Sequence, residues 1–222
     1  MYNPTYTCHR AAQPPILTGA ADDPAWATAE IAVLTDCVTG AARPPATTAR
    51  LLYDDTHLYL TFQCADDYVW GTFSERDDPI FTEECVELFL CPSGAWRQYY
   101  EINVSPRNVV FDAFILNGGS SGGDRRMTGF PQYTCDGLRT LVAVDGEFGV
   151  PGGARGWSAE YAIPFTSIVG ADALTPQPGD RWPMNLYRID APAPGKQEFF
   201  AWGTVGKIDF HQPWHFGTLL FA

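Results

Sequence analysis

The stretch FTEECVELFLCP, from Phe81 to Pro92, decides the fold prediction because its second half alternates with the period of a β-strand. The two faces of that strand hold Val86, Leu88 and Leu90 on one side and Cys85, Glu87, Phe89 and Cys91 on the other. A carboxylate inside an apolar strand is costly to bury unless a partner compensates its charge. Glu87 therefore lies either on a face that is open to water or in a functional site.

The composition favours a single all-β domain with an acidic surface. The chain has 222 residues and a formal net charge of −12, and sandwiches of this length are common single domains. The negative charge makes a nucleic-acid backbone an unexpected partner. Because no run of Lys and Arg offsets it, binding to an anionic membrane surface is not expected either. No apolar segment reaches the roughly 18 residues that a membrane-spanning helix needs.

The N-terminus and the cysteines bear on the cellular compartment. Residues 1–10, MYNPTYTCHR, lack the charged start and the apolar run of a signal peptide. We therefore expect either a cytoplasmic protein or a secreted protein trimmed of its leader. The six cysteines include no CxxC pair, which disfavours a zinc site. We expect reduced thiols rather than disulfides, because several cysteines lie in strand-like runs where a free thiol packs as a small hydrophobe.

Strand signals separated by Gly, Pro and Asp clusters recur along the chain, whereas helical periodicity is nearly absent. The ten predicted strands are Thr48–Tyr53, His57–Ala65, Val86–Cys91, Gln98–Val104, Val109–Leu116, Arg139–Asp145, Trp157–Ile163, Met184–Asp190, Glu198–Trp202 and Gly217–Phe221. Short helical turns are expected at Pro24–Thr28 and Pro164–Val169. This pattern predicts one antiparallel β-sandwich domain over residues 1–222.

Two neighbouring strands bring polar residues to one face. Val86–Cys91 and Gln98–Val104 are natural hairpin partners across a short turn. Strand alternation then collects four residues on the same face of the hairpin, namely Glu87, Tyr99, Glu101 and Asn103. Carboxylates and amides in such a patch can form paired hydrogen bonds to vicinal hydroxyls, and aromatic rings beside it can stack on the apolar face of a sugar ring.

A third strand, Met184–Asp190, adds polar residues to this patch. Asn185 and Tyr187 share one parity of the strand, and Arg188 has the other. Arg188 is most simply a partner for an acidic residue, unless a bulge turns it toward the patch.

Several segments along the chain carry a family resemblance in order. They are ILTGAADDPAW, ARLLYDDTHLYLTFQCAD, FTEECVELFLCP, QYYEINVSPRNVVFDAF, GWSAEYAIPF, PGDRWPMNLYRID and HQPWHFGTLLF. From about Ile16 onward the chain resembles the family 9 carbohydrate-binding modules and their looser relatives, which leaves residues 1–15 as an N-terminal extension. The resemblance implies a β-sandwich with jelly-roll or immunoglobulin-like topology. It also implies non-catalytic binding of a saccharide, since well-studied members clamp a terminal sugar between two Trp rings.

The resemblance assigns candidate ligand-binding residues one at a time. Glu87 matches a family carboxylate that bonds sugar hydroxyls, and Asn103 matches a binding-site amide on the next strand. Asn185 and Tyr187 match further positions for polar contacts. Glu101 stands where the binding members have a basic residue, so the charge of the patch differs from theirs.

The two clamp rings implied by the resemblance fall at Phe81 and Phe210. Both are Phe rather than Trp, which leaves less ring area for stacking. Trp70 and Trp214 lie close enough in sequence to take over that role. His211, which follows the second Phe, is a further candidate for ligand contact.

Structural calcium is a possible cofactor, because known modules of this family hold it. The acidic loop residues that could bind it are Asp22, Asp23, Asp54, Asp55, Asp66 and Asp67. None of them forms an EF-hand pattern.

Three other functions stay open from the sequence. Glu87 and Glu101 together are a candidate acid/base pair of a glycoside hydrolase, although no catalytic signature accompanies them. A haem or redox domain would need an axial Met or His, and the internal methionines are Met127 and Met184. The fold could also serve as an interaction module that has lost its ligand.

Overall fold

The computed structural model describes residues 3–119, 127–168 and 175–222, which form an all-β fold. The strands are β1 (Thr5–Arg10), β2 (Ala32–Asp36), β3 (Thr47–Tyr53), β4 (His57–Ala65), β5 (Cys85–Leu90), β6 (Gln98–Val104), β7 (Val110–Asn117), β8 (Met127–Phe130), β9 (Arg139–Gly146), β10 (Ala154–Pro164), β11 (Arg181–Ala193), β12 (Lys196–Ala201) and β13 (Gly217–Phe221). The helices are short 3₁₀ turns at Pro24–Thr28, Ile80–Thr82, Phe165–Ser167 and Pro213–His215.

The strands follow one hydrogen-bonded path, in the order β8-β7-β6-β5-β11-β12-β2-β3-β4-β10-β9. Outside this path, β1 pairs in parallel with β13 and with β3, and β13 pairs with β11. The all-β prediction is confirmed, and the arrangement is consistent with a β-sandwich. The predicted antiparallel arrangement holds for the other pairings of the described strands, whereas both pairings of β1 are parallel. The jelly-roll or immunoglobulin-like topology stays a prediction.

The strand prediction missed three elements, β1, β2 and β8. β1 lies within residues 1–15, and its partner β13 lies at the other end of the chain. Such a long-range parallel pairing leaves no local signal in the sequence. β8 is four residues long, includes Gly129 and is mostly exposed, so its alternation is too short to recognise. The predicted turn at Pro24–Thr28 is confirmed, and Phe165–Ser167 lies within the predicted turn at 164–169, of which residue 169 is outside the described residues.

One apolar core lies between the two halves of the strand path. Val86, Leu88 and Leu90 of β5 are buried in it, as the alternation predicts. The same core contains Leu60 and Phe62 of β4 from the other half of the path. The hairpin of β5 and β6 therefore turns its aliphatic face inward.

A second apolar cluster covers the opposite face of β5, β6 and β11. It contains Phe89, Tyr99 and Tyr187 from these strands, together with loop residues such as Phe210. Because apolar groups cover both faces, every residue of β5 is buried. Glu87 is only 2% exposed, so the alternative of a face open to water is wrong.

Arg188 lies at the centre of a buried ion cluster that links β11 to β3 and β4. Its Nη2 is 2.6 Å from Asp190 Oδ1, 2.9 Å from Asp66 Oδ2 and 3.2 Å from Glu84 Oε1. Its Nη1 donates to Thr47 Oγ1 on β3 and to the backbone oxygen at the end of β4. The prediction of an acidic partner for Arg188 is confirmed, and the side chain points away from the patch on β5 and β6.

The six cysteines are all free and buried, in agreement with the expectation of reduced thiols. In the described parts of the chain, we find no helix with the length and apolarity needed to traverse a bilayer.

Candidate functional site

A cavity of about 450 Å³ lies on the face of the sheet that carries the second apolar cluster. Its lining consists of Phe81, Glu87, Phe89, Glu101, Phe111, Ala113, Ile115, Met127, Gly129, Pro131, Ile189, Phe199, Ile208, Asp209, Phe210 and His211. This volume lies within the range found for small-molecule binding sites. Mostly apolar walls with a few polar groups are also typical of such sites.

The structure brings most of the predicted ligand-binding residues together at this cavity. Those that line it are Phe81, Glu87, Glu101, Phe210 and His211. Asn103, Asn185 and Tyr187 lie behind the lining and are buried. Ligand contact by any of these residues stays a prediction.

The floor of the cavity is set by the register of three strands. Glu87 on β5 lies opposite Asn103 on β6 and opposite Tyr187 on β11. Glu101 lies two cross-strand pairs further along, opposite Phe89. Asn103 Nδ2 donates to Glu101 Oε1 at 2.9 Å, so the amide of Asn103 is bonded to one of the two carboxyl groups and lies opposite the residue that carries the other.

Burial favours the protonated, neutral form of the Glu87 carboxyl group. Desolvation raises its pKa well above the ordinary value, and the charge of Glu101 raises it further. Cys85 Sγ lies 3.4 Å from Glu87 Oε1 and acts as a weak donor. The carboxyl group of Glu87 therefore retains its proton at a pH where an exposed glutamate is ionised.

His211 is fixed between β6 and the cavity. Its Nδ1 lies 2.9 Å from the hydroxyl of Tyr99, and its Nε2 lies 3.8 Å from Glu101 Oε2. Asn117 Nδ2 donates to the backbone oxygen of His211 at 2.9 Å, and the His211 ring packs 5.1 Å from that of Phe89. Both ring nitrogens thus face protein groups, which does not suit axial ligation of a haem iron by His211. Met127, a candidate axial ligand, lines the same cavity.

The two predicted clamp rings differ in how firmly they are held. Phe81 is 38% exposed and packs edge-on against Phe111, with 5.1 Å between the ring centroids. Phe210 is 9% exposed and stacks on Tyr187, with 4.0 Å between centroids and 9° between planes. Phe199 packs edge-on against Phe210 from the other side. Phe81 therefore offers more accessible ring surface than Phe210.

Asn185 and Tyr187 anchor the loop that carries Phe210. Asn185 Nδ2 donates to Gly203 O and to Tyr187 Oη, both at 2.9 Å, and its Oδ1 accepts from Gly203 N at 2.7 Å. The Tyr187 hydroxyl donates to Phe210 O at 3.0 Å. Both side chains thus position the cavity wall from behind.

The segment that carries Phe81 is anchored by side chains that the sequence analysis did not single out. Gln197 Nε2 donates to Phe81 O at 3.0 Å and to Glu83 O at 3.2 Å. Glu83 accepts from the backbone nitrogen and the hydroxyl of Thr72. No periodicity in the sequence marks Gln197, because its contact is with a distant loop.

The two tryptophans offered as replacement stacking rings do not line the cavity. Trp70 is buried, and its Nε1 donates to Ala191 O at 2.6 Å. Trp214 lies in the 3₁₀ turn Pro213–His215 and packs near His215. Stacking of either ring on a ligand in this cavity is therefore not supported.

The predicted calcium-binding residues are mostly engaged within the chain. Among the residues that the structure describes, one group of three carboxylates lies close enough to bind a metal: Asp66, Glu84 and Asp190. The guanidinium of Arg188 already occupies the space among them, so a calcium ion does not fit there. Asp54 accepts bonds from Thr56, His57 and Tyr59 in its own turn.

A comparison with protein families decides where this fold belongs. The model of carbohydrate-binding family 9 matches residues 32–221. The chain belongs to carbohydrate-binding family 9. The match covers every strand from β2 to β13, and therefore both the floor and the walls of the cavity.

Solved structures share the fold of this family 9 chain over nearly its whole length. A candidate carbohydrate-binding protein from Bacteroides uniformis ATCC 8492 has a TM-score of 0.77 and 19% identity, with 100% of both chains covered. A family 9 module from Caldicellulosiruptor kristjanssonii in complex with cellotriose has a TM-score of 0.67 and 14% identity over 98% of this chain and 93% of that one. A family 9 module from the same organism in complex with glucose has a TM-score of 0.65 and 15% identity over 97% and 95%.

A relative detected by sequence is named an extracellular protein, from Arthroderma benhamiae (strain ATCC MYA-4681 / CBS 112371). It is 29% identical to this family 9 chain over 190 residues, which cover 80% of this chain and 79% of the relative.

Several cavity residues of this family 9 chain escaped the sequence analysis. Phe89 shares the parity of Glu87 on β5, so strand alternation alone could have found it. Phe111, Ala113 and Ile115 alternate on β7 in the same way and form one wall. Ile208 comes from a loop whose position no local pattern reveals.

Proposed function

We propose that this family 9 chain binds a saccharide in the cavity, without cleaving it. The observation that carries the proposal is the lining itself, in which exposed and stacked phenylalanine rings surround two carboxyl groups on one sheet face. The cellotriose and glucose complexes of family 9 modules support saccharides as the ligand class. Family 9 consists of non-catalytic binding modules, which agrees with a binding role.

The chemistry of the lining suits a sugar ring. The half-exposed face of Phe81 offers an apolar surface on which the C–H face of a pyranose can stack. Glu87 and Glu101 can accept hydrogen bonds from sugar hydroxyls, and a protonated Glu87 can also donate one. Phe210 adds a rigid wall because Tyr187 stacks behind it.

Isothermal titration calorimetry tests the proposal with glucose, cellotriose and xylotriose. We expect binding heat from at least one of these sugars with the wild type. Binding should be lost or strongly weakened in Glu87→Gln, which removes the acid with little change in shape. Glu147→Gln is the matched control, because Glu147 is exposed and lies outside the cavity. Absence of heat with every sugar, or unchanged heat in Glu87→Gln, would contradict the proposal.

A hydrolase remains the second candidate because Glu87 and Glu101 share the cavity, and because burial together with the charge of Glu101 raises the pKa of Glu87, as a general acid requires. Nitrophenyl glycosides provide the test. Release of nitrophenol that is abolished in Glu87→Gln and retained in Glu147→Gln would favour hydrolysis over binding alone.

A further inference from the structure

The hydrogen-bonding side chains of the cavity are concentrated in one part of it. Glu87 and Glu101 lie on the two middle strands of this sheet face, β5 and β6. His211 and Asp209 come from one loop, and His211 Nε2 lies 3.8 Å from Glu101 Oε2. Asp209 Oδ1 accepts from the backbone nitrogen of His211, and Lys207 Nζ lies 3.5 Å from Asp209 Oδ2. Asp209 is thus engaged within its own loop, which leaves the two glutamates as the main polar groups of the floor.

The sheet face beyond Glu101 is apolar. Ala113 on β7 lies directly opposite Glu101, and Phe111 and Ile115 share the face of Ala113. Gly129 on β8 lies opposite Ile115. These four residues of β7 and β8 all line the cavity. Because Ala113 and Gly129 are small, they leave space above this part of the sheet.

The opposite flank of the glutamates is apolar as well. Ile189 on β11 and Phe199 on β12 form a cross-strand pair, and both line the cavity. None of the described lining residues on β7, β8, β11 or β12 carries an oxygen or a nitrogen in its side chain. A sugar hydroxyl placed against these side chains loses its bonds to water without replacing them, which costs free energy. A chain of sugar rings that filled the cavity would therefore leave hydroxyls without partners.

The cavity is larger than a single ring requires. A cavity of about 150 Å³ is sufficient for a benzene molecule, whereas this one has a volume of about 450 Å³. One sugar ring bonded to the glutamates therefore leaves room for a second group of similar size. The apolar walls favour a second group that carries no hydroxyl.

We infer that the cavity binds a glycoside whose aglycone is an apolar group the size of one ring, and that this aglycone lies over Ala113 and Gly129. This inference rests on the proposed function and names its ligand class. The sugar ring occupies the polar part of the cavity, where its hydroxyls bond to Glu87 and Glu101. Burial of the aglycone contributes binding free energy in proportion to the apolar area removed from water. An aromatic aglycone gains further from contact with the ring of Phe111.

Calorimetry at neutral pH tests the inference with methyl β-glucoside, phenyl β-glucoside and cellobiose. The three ligands share one glucose ring and differ in the group attached to it, which is small, apolar or a second sugar. We expect the wild type to bind phenyl β-glucoside at least about tenfold more tightly than either of the other two.

Gly129→Val tests where the aglycone lies. A Cβ atom at position 129 would lie 3.3 Å from Ile115 Cδ1, so a larger side chain fills this end of the cavity. The preference for the phenyl over the methyl glucoside should fall below about threefold, while affinity for the methyl glucoside stays within about twofold of the wild type. Thr128→Val is the matched control, because Thr128 is the exposed neighbour on β8 and does not line the cavity. This control should keep the full preference, and an undiminished preference in Gly129→Val would overturn the inference.

A second measurement on the wild type does not depend on the folding of any variant. Titrations at several temperatures give the heat-capacity change of binding, which becomes more negative as more apolar area is buried. It should be more negative for phenyl β-glucoside than for methyl β-glucoside. Equal affinities and equal heat-capacity changes for these two glycosides would overturn the inference and leave the proposed function standing. Binding of cellotriose without binding of either glycoside would do the same, whereas no binding of any saccharide would contradict both.

Discussion

The ring of Phe210 lies parallel to the ring of Tyr187, 4.0 Å from it, and the Tyr187 hydroxyl donates to Phe210 O at 3.0 Å. A buried residue of β11 thus fixes both the ring and the backbone of a loop residue in the cavity wall. Asn185 supports this contact by donating to the same hydroxyl. The position of Phe210 therefore depends on Asn185 and Tyr187 of β11, two residues that do not themselves line the cavity.

Tyr187→Phe isolates the hydroxyl from the ring stack. The substitution keeps the stacked ring but removes the bond to Phe210 O and the acceptor for Asn185. We expect the free energy of unfolding to fall by about 1–2 kcal/mol and saccharide affinity to weaken, because the Phe210 backbone is released. Urea unfolding and calorimetry measure the two effects. Tyr68→Phe, at a half-buried tyrosine outside the cavity, is the control; equal behaviour of the two variants would contradict the anchoring role.

Phe81→Ala and Phe210→Ala should separate binding from stability. Phe81 is 38% exposed, so its loss should lower the free energy of unfolding by less than about 1 kcal/mol. Phe210 is 9% exposed and packed on two rings, so its loss should cost roughly 3 kcal/mol. Both variants should weaken saccharide binding, and Phe81→Trp should strengthen it through a larger stacking surface. Unchanged affinity in Phe81→Ala would remove Phe81 from the site.

Gln197→Leu tests whether the Phe81 segment must be held in place. Gln197 is exposed, and its amide bonds Phe81 O and Glu83 O. We expect stability close to that of the wild type but saccharide affinity reduced by a few fold, since the segment becomes free to move. Gln63→Leu replaces another exposed glutamine, on β4 and away from the cavity, and should bind normally. Equal affinities in the two variants would show that the anchor does not matter for binding.

The pH dependence of stability should reveal the buried acid at position 87. The folded pKa of Glu87 is raised by burial and by Glu101, so the folded state holds a proton that the unfolded chain loses above a pH of about 4.3. Its contribution to the free energy of unfolding is therefore most favourable below that pH and declines as pH rises toward the folded pKa. Glu87→Gln lacks this titration and should gain stability relative to the wild type as pH increases. Urea unfolding of both proteins from pH 4 to pH 8 checks this, and parallel stability curves would contradict it.

Strand alternation and turn residues were sufficient to predict most of the sheet, because local side-chain patterns encode strand faces. Glu87, Glu101 and Asn103 could be placed on one face for the same reason, as the register now shows. The loops that pack over that face of β5 and β6 could not be predicted. These loops are held by residues that are distant in sequence, as Gln197 holds the segment at Phe81. The loops over this face explain why Glu87 is buried in a cavity rather than open to water.

Arg188→Met tests the buried ion cluster that joins β11 to β3 and β4. The substitution leaves Asp66, Glu84 and Asp190 without their cation, and a broken buried pair costs about 3–5 kcal/mol of unfolding free energy. The pKa of Asp190, already raised to about 6 mainly by burial, should rise further once Arg188 no longer lowers it. Adding Glu84→Gln to the variant should recover part of the loss, since one buried acid is removed. Arg155→Met breaks an exposed pair with Asp145 and should have little effect. Urea unfolding at neutral pH measures all three variants, and similar losses in Arg188→Met and Arg155→Met would show that the cluster does not stabilise the fold.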